Sequence, residues 1–412
     1  MVEKSYDVVI VGGGIGGGAL GAMLARGGKS VLVLEKSVEY QDKVRGEWIA
    51  PWGVIEARRA GIYDCLIEAG GHHLKMHVSA GDEFESPEVA LAESLDMTAL
   101  LPGVPGPLCV RHIVACQALV DEAAKHGATV LRGVQGATFE PGSSPAVRFT
   151  HNGKEERVSC RLIVGADGRN SVVRAQAGIV EHRDTRHHLF SGMLVDGAFG
   201  WPVDTQTKGT EGEVNYLAFP QGGGRVRLYL GYGFERKSLL AGADAQTRFL
   251  EAFHLKTLAG SEHLANATPV SHCYSYPNED TWTEKPFVEG LVLVGDAAGH
   301  NDPIIGQGLS ITMRDVRTVG EALLGEGTWS SAMFQPYAEE RAERMRRLRF
   351  AASLTSTIDS EFGPEAQERR KRVRERRRAD PTFMLATLAV MVGPETVPPF
   401  AFEESYREAL LA

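Results

Sequence analysis

The sequence runs to 412 residues, 43% hydrophobic and 24% charged, an ordinary globular mixture with length for two to three domains at roughly 150 residues each. Lys and Arg number 44 against 53 Asp and Glu, a net charge of −9, which excludes the basic surface that wrapping a nucleic acid requires. Cys65, Cys109, Cys116, Cys160 and Cys273 are scattered with no Cys-x-x-Cys pair, which excludes a zinc ribbon or disulfide framework and fits a reducing cytoplasm.

Residues 6–11, Tyr-Asp-Val-Val-Ile-Val, predict a buried parallel strand. It begins too early for a signal peptide to precede it. The next residues place Gly12, Gly14 and Gly17 in the G-x-G-x-x-G register. Ile15, Ala19, Ala22, Met23 and Arg26 then share one helical stripe, which Gly27 and Gly28 end. A second strand over residues 31–34 leads to Glu35. Gly12 permits a tight turn, Gly14 lets backbone approach a pyrophosphate, and Gly17 lets the helix pack on the sheet. Unpaired N–H groups at the helix start point at the phosphates. Glu35 stands where a carboxylate accepts hydrogen bonds from a ribose diol. Strand, turn, helix, strand and acid in this order predict a dinucleotide site, with the acid disfavouring NADP.

Further along, His73 and His77 have i, i+4 spacing beside His72, but no Glu or Cys completes a ligand set. No metal is expected. A helix is predicted over residues 112–126, headed by Arg111, with Val134 on the strand after it. Residues 161–164 predict a strand that enters Gly165-Ala166-Asp167-Gly168-Arg169-Asn170-Ser171, followed by Arg174. Runs at 188–199, 213–219, 225–232 and 272–276, with the turn Gln221-Gly222-Gly223-Gly224, predict an antiparallel sheet. His187 and His188 read as a surface or sheet pair.

Residues 291–294 predict another strand. It enters Gly295-Asp296-Ala297-Ala298-Gly299-His300-Asn301-Asp302-Pro303, then Gly306-Gln307-Gly308 and a helix over 309–324. An acid at the carboxyl end of a parallel strand sits beside the ligand crevice. Asp296 can therefore accept hydrogen bonds from a polyol, and FAD carries a ribitol where NAD has none. Residues 339–350 and 365–378 carry charged helical patterns. The basic run 369–378 reads as a solvated helix pairing with an acidic protein. The apolar segment 383–392 is about half the ~18 residues a membrane span needs. It could cap a cavity, pack on the nucleotide-binding unit, or form a homodimer surface.

With these motifs in view, the sequence resembles the FAD-dependent aromatic hydroxylases, group A flavoprotein monooxygenases with the para-hydroxybenzoate hydroxylase fold. The glycine turn with Glu35, the Asp167-Gly168 motif and the Gly295-Asp296 motif carry the match in order, over roughly residues 5–325. The resemblance implies an α/β fold with a GR2-type Rossmann-like FAD-binding domain from residues 1–75, 100–180 and 285–340. An antiparallel-sheet substrate domain, 76–99 and 181–284, would be interleaved with it, followed by a C-terminal helical segment, 341–412.

It also implies residue roles. Gly12, Gly14, Ile15, Gly16 and Gly17 would form the pyrophosphate turn, and Glu35 with Lys36 would meet the adenosine ribose. Val134 would touch adenine, Arg45 and Arg111 the flavin, and Asp296 the ribitol. Asp167 would lie near the cofactor and the pyridine-nucleotide path. Pro303, Gly306, Gln307 and Gly308 would bring a helix N-terminus to the pyrimidine end, where reduced flavin is anionic. Phe190, Tyr216 and Tyr274, with Met193, Phe219 and Tyr276, are candidates for an apolar substrate wall.

The implied reaction is hydroxylation of a phenol or other electron-rich aromatic through a flavin hydroperoxide, with NADH or NADPH and O2 as co-substrates. Relatives commonly have His directly after Gly-Asp-Ala-Ala; here Gly299 holds that position and His300 follows. His300 and Asp302 are the candidates for a catalytic base. A dehydrogenase or reductase on the same scaffold, and a non-catalytic flavin-binding sensor, are the alternatives.

Overall fold

The computed structural model describes residues 4–325, 327 and 329–412. The first strand, Ser5–Val11, lies inside an eight-stranded sheet. Its main path runs Phe287–Val288, Leu291–Leu293, Lys154–Gly165, Ser5–Val11, Val31–Glu35, Thr129–Arg132. The last five of these pair in parallel. Val8, Val9 and Ile10 are wholly buried because helices cover one face of the sheet and a hairpin the other. That covering hairpin is Gln135–Glu140 with Ala146–His151, which continues into Lys154–Gly165. The helix Ile15–Arg26 packs close to the first strand: a Cβ on Gly17 would lie 1.8 Å from the Gly12 carbonyl oxygen.

A second eight-stranded sheet follows the order Thr268–Pro269, His188–Asp196, Arg225–Gly233, Val214–Gly222, Thr205–Glu211, Met76–Ser79, Leu95–Asp96. Tyr274–Asn278 pairs beside His188–Asp196. The pairing is antiparallel except between Thr205–Glu211 and Met76–Ser79. Period-two alternation divides its faces. Met193, Tyr216, Leu228 and Leu230 pack with Phe249 and Phe253 on one side. Phe190, Leu217, Phe219 and Tyr276 look the other way, toward Trp48 and Ile304. Thr205–Glu211 escaped the sequence reading because Thr-Gln-Thr-Lys-Gly-Thr-Glu has no apolar alternation. It is held by ladders on both sides and by a Lys208–Asp359 ion pair at 2.9 Å.

His72–His73 and Met76–Ser79 are strands, so His73 and His77 share no helical face. The C-terminal part is helical: Gln335–Asp359, Pro364–Ala379, Leu385–Val392 and Glu404–Leu411. The basic helix Pro364–Ala379 is only partly solvated. Arg370 and Val373 are buried, while Arg374 reaches Glu93 at 2.6 Å and Arg370 reaches Asp82 at 3.4 Å. Among the described residues no helix is long and apolar enough to cross a membrane.

Candidate functional site

The carboxyl ends of the parallel strands open into a cavity of about 1680 Å³ that continues beneath the antiparallel sheet. A single small-ligand site occupies ~300–1,000 Å³, so the cavity exceeds the volume of one small ligand. Gly12, Gly14, Ile15 and Gly16 line the nucleotide end. Gly12 has φ +101°, and a Cβ there would lie 2.4 Å from the Ala166 carbonyl oxygen. At Gly14 nothing comes within 4 Å of a Cβ position, so that face is open for a ligand. Gly17 packs behind the turn and does not reach the cavity.

Glu35 is 7% exposed, and its carboxylate accepts from the N–H groups of Gly13 and Ser37, both at 2.7 Å. Lone pairs remain on both oxygens for a diol. Lys36 and Val134 line the same end. Tyr40 donates to the Gly13 carbonyl, and the Arg132 guanidinium stacks 4.5 Å from its ring.

In the middle stretch, Asp167 faces the cavity with a carboxylate already engaged. It accepts from Ser171 Oγ at 2.5 Å, Val172 N at 2.7 Å and Val173 N at 3.2 Å, capping the helix Val172–Gln176. Arg174 donates to the carbonyls of Ala297 at 2.9 Å and Arg169 at 3.0 Å, tying the two aspartate motifs together. Asp296 lines the cavity and pairs with Arg169 Nε at 3.4 Å. Its loop is braced from behind. Buried Asp315 accepts from Gly295 N at 2.9 Å, Arg341 Nε at 3.0 Å and Arg344 Nη2 at 2.7 Å. Arg341 also donates to the carbonyls of Ala298 at 3.0 Å and Gly299 at 2.8 Å.

Pro303, Gly306 and Gly308 line the cavity where the 17-residue helix Gly308–Leu324 begins. Gln307 does not. It is wholly buried, accepts from Trp52 Nε1 at 2.8 Å and donates to the Ile305 carbonyl at 2.9 Å, clamping the turn. Arg45 is exposed on the cavity wall. Arg111 precedes the helix His112–Lys125 but does not line the cavity, and its Nε is buried without a partner.

His300 reaches the cavity, its Nδ1 hydrogen-bonded to Thr281 Oγ1 at 2.8 Å. Burial lowers its pKa to about 4, so the ring is neutral at pH 7. Asp302 lies behind the wall, 1% exposed, and accepts from Ile304 N at 2.9 Å and Asn278 Nδ2 at 2.8 Å. Burial raises its pKa to about 8, so the carboxyl is mostly protonated at pH 7. His187 and His188 stand 3.6 Å and 4.0 Å from its oxygens. Their Nδ1 atoms face each other at 2.8 Å, and Asn278 donates to His188 Nε2 at 2.7 Å. The imidazoles are thus engaged with one another and with the sheet.

The far chamber is walled by Trp48, Phe190, Phe219, Tyr229 and Tyr276, with Tyr274 at its edge. Burial pushes the Tyr229 and Tyr276 phenols up, so both stay neutral donors. Tyr216 and Met193 are on the opposite face of the sheet. The Tyr216 hydroxyl donates to the Ala80 carbonyl at 3.0 Å, inside the other core. The helix Leu385–Val392 contributes Thr387, Val390 and Met391 to the chamber. This segment caps the cavity and also packs on the helix Pro51–Arg59 of the nucleotide-binding unit.

Sequence reading missed the Asp315–Arg341–Arg344 brace and the Arg227–Glu47 pair. Asp315 left one trace, a charge among the apolar positions Met313, Val316 and Val319 that demands a buried partner.

Residues 5–351 match the family profile described as FAD binding domain. The chain belongs to this family, and its fold is that of the FAD-dependent monooxygenases and related oxidoreductases. It is 26% identical over 378 residues to 3-demethoxyubiquinol 3-hydroxylase of Escherichia coli, covering 87% of this chain and 90% of that protein. It is 27% identical over 341 residues to digeranylgeranylglycerophospholipid reductase 2 of Methanococcoides burtonii, covering 78% and 75%. Among solved structures, p-nitrophenol 4-monooxygenase from Pseudomonas putida superposes with a TM-score of 0.74 at 17% identity, covering 99% of this chain and 97% of that one.

Proposed function

We propose that the protein is an FAD-dependent monooxygenase that takes reducing equivalents from NADH or NADPH and uses O2 to hydroxylate an aromatic or other electron-rich small molecule. One observation carries this reading. The cavity that begins at Glu35 passes the helix start at Gly308 and opens into a chamber walled by Trp48, Phe190, Phe219, Tyr229 and Tyr276. Bound FAD supplies the redox chemistry and oxygen activation.

The chain's own residues bind, orient and exclude water. Gly12, Gly14, Ile15 and Gly16 hold the pyrophosphate, with Gly17 setting the turn. Glu35 and Lys36 take the ribose, Val134 the adenine and Asp296 the ribitol. Pro303, Gly306, Gln307 and Gly308 aim the helix N-terminus at the pyrimidine end, favouring negative charge there by ~0.3–1 kcal/mol. Arg45 adds a cation beside the flavin, Arg111 stands behind the wall at the start of its helix, and Asp167 holds the loop next to the cofactor. Phe190, Tyr274 and the roof helix Leu385–Val392 keep the reacting end dry. His300, a neutral imidazole on the cavity wall, is placed to accept a hydrogen bond from a substrate hydroxyl. Five free thiols fit a reducing cytoplasm.

A relative of similar identity named as a reductase supports a second reading, in which the chamber holds an alkene for hydride transfer. Purified yellow protein, assayed with NADH, NADPH and a panel of phenols and polycyclic aromatics, separates the two. Substrate-stimulated O2 uptake and a product heavier by one oxygen support the hydroxylase. NAD(P)H oxidation and a reduced product without O2 uptake support the reductase. A bound flavin that neither pyridine nucleotide reduces supports a sensor.

A further inference from the structure

The cavity does not end at its aromatic walls. Beyond Val390 and Met391 it reaches Arg377, on the helix Pro364–Ala379, and Thr387, on the roof helix. We propose that Arg377 anchors a carboxylate at the tail of the substrate, making this chamber a site for elongated apolar acids whose reacting head lies near Ile304 and Gly308.

The guanidinium is distinctive. Its Nη2 donates to Thr387 Oγ1 at 3.2 Å, and its Nε is sealed from solvent with no partner. Of the other arginines with a sealed Nε, Arg314 has Glu395, Arg369 has Glu361, Arg370 has Asp82 and Arg407 has Glu404, while Arg111 lies away from the cavity. Among the described residues Arg377 has none, although it faces the cavity. A partly buried guanidinium with no ion-pair partner favours an anion in the cavity it faces.

None of the acids around it forms an ion pair with it: Glu83 acts on it only at longer range and burial raises its pKa to about 7. Asp359 is held by Lys208 at 2.9 Å, and Glu93 by Arg374 at 2.6 Å. His77, also on the wall, is kept neutral by burial, which lowers its pKa to about 3. Arg377 therefore presents a cation to the cavity with no ion-pair partner of its own among the described residues, which suits a monoanion. Arg377 is also set back from the aromatic cluster. Thr387 contacts it, whereas Met391, four residues on, packs against the cluster that contains Trp48 and Ile304. One helical turn, ~6 Å at ~1.5 Å per residue, of apolar wall separates the anion anchor from that cluster.

This inference rests on the chamber being the substrate site, and its test reads binding rather than turnover. FAD-loaded protein is titrated by calorimetry with 4-phenylbutanoate and 6-phenylhexanoate and with their primary amides. The expected result is that an acid binds roughly ten- to hundredfold more tightly than its amide. Arg377→Gln should bring the two together, with FAD content unchanged, and Arg377→Lys should keep an acid preference. Equal affinity for acid and amide in the parent protein overturns the proposal without recourse to a variant. So does no binding of either acid, or a preference that survives Arg377→Gln. Acid binding together with no O2 uptake on the phenol panel in the presence of NADH or NADPH would instead refute the hydroxylase reading and leave the anchor standing.

Discussion

Arg227 and Glu47 join the antiparallel sheet to the loop at residues 41–47 through a buried ion pair. The guanidinium, on the antiparallel strand Arg225–Gly233, donates from Nε at 2.9 Å and from Nη2 at 3.1 Å to a carboxylate that is 5% exposed. Asp42 takes a second bond from Nη2 at 2.7 Å. Glu47 also accepts from His112 N at 3.2 Å, so one carboxylate positions the Arg45-Gly46-Glu47 loop, the substrate sheet and the Arg111 helix start. Glu47→Ala should cost about 3–5 kcal/mol, because it leaves a buried cation short of its partner. Denaturant unfolding checks this, and a loss below about 1 kcal/mol would mean that water or Asp42 compensates.

The glycine turn offers a pair of variants that separate folding from cofactor binding. Gly12→Ala meets the Ala166 carbonyl at 2.4 Å from a backbone with φ +101°, so its apoprotein should melt well below the parent. Gly14→Ala meets no protein atom within 4 Å and should leave the apoprotein melting temperature unchanged while reducing FAD content. Calorimetry of the flavin-free proteins with spectrophotometric flavin counts reads both. Full FAD retention in Gly14→Ala would contradict the proposed pyrophosphate contact.

Glu35→Ala and Asp296→Ala should each weaken FAD retention by roughly ten- to hundredfold, the loss of a charge-assisted hydrogen bond. Glu35→Ala should also lower stability, since the Gly13 and Ser37 N–H groups lose their acceptor. Asp296→Ala frees only Arg169 at 3.4 Å and should leave folding nearly untouched. Equilibrium dialysis against FAD measures the affinities. Unchanged retention in both variants would remove the ribose and ribitol assignments.

Asp302 should imprint a pH dependence on stability. Burial raises its pKa from 3.8 to about 8 in the folded protein. Between those values the folded form holds a proton that the unfolded chain releases, so this contribution to stability falls as pH rises. His188 acts with the opposite sign. Burial lowers its pKa from 6.5 to about 3, so its contribution is lost as pH falls through that range. Asp302→Asn keeps a neutral acceptor for Ile304 N without the titration. Relative to the parent, its melting temperature should gain more at pH 8 than at pH 5. An equal gain at both would show that the carboxyl does not titrate in this range.

Some residues were legible in sequence and still did other work than expected. Gln307 sits in the cofactor motif, yet its amide holds Trp52 Nε1 rather than the cavity. Tyr216 belongs to the expected sheet, yet Leu217 and Phe219 are the residues facing the cavity. In a period-two strand, a shift of one residue is the difference between wall and core. The number of residues before each turn, not their hydrophobicity, decides which set faces the ligand.

The sequence by itself determined the strand–turn–helix units around Gly12, Asp167 and Asp296, and with them the cofactor class. These are local structures, built from contiguous residues whose backbone geometry and free N–H groups carry the chemistry. Only the tertiary structure decided that the apolar segment Leu385–Val392 roofs a chamber, that Arg377 looks into it, and that Asp315 is neutralised by Arg341 and Arg344. Those outcomes depend on which faces of distant elements meet. Helical charge patterns look alike whether a guanidinium faces water, a carboxylate or a cavity, until packing fixes what lies opposite.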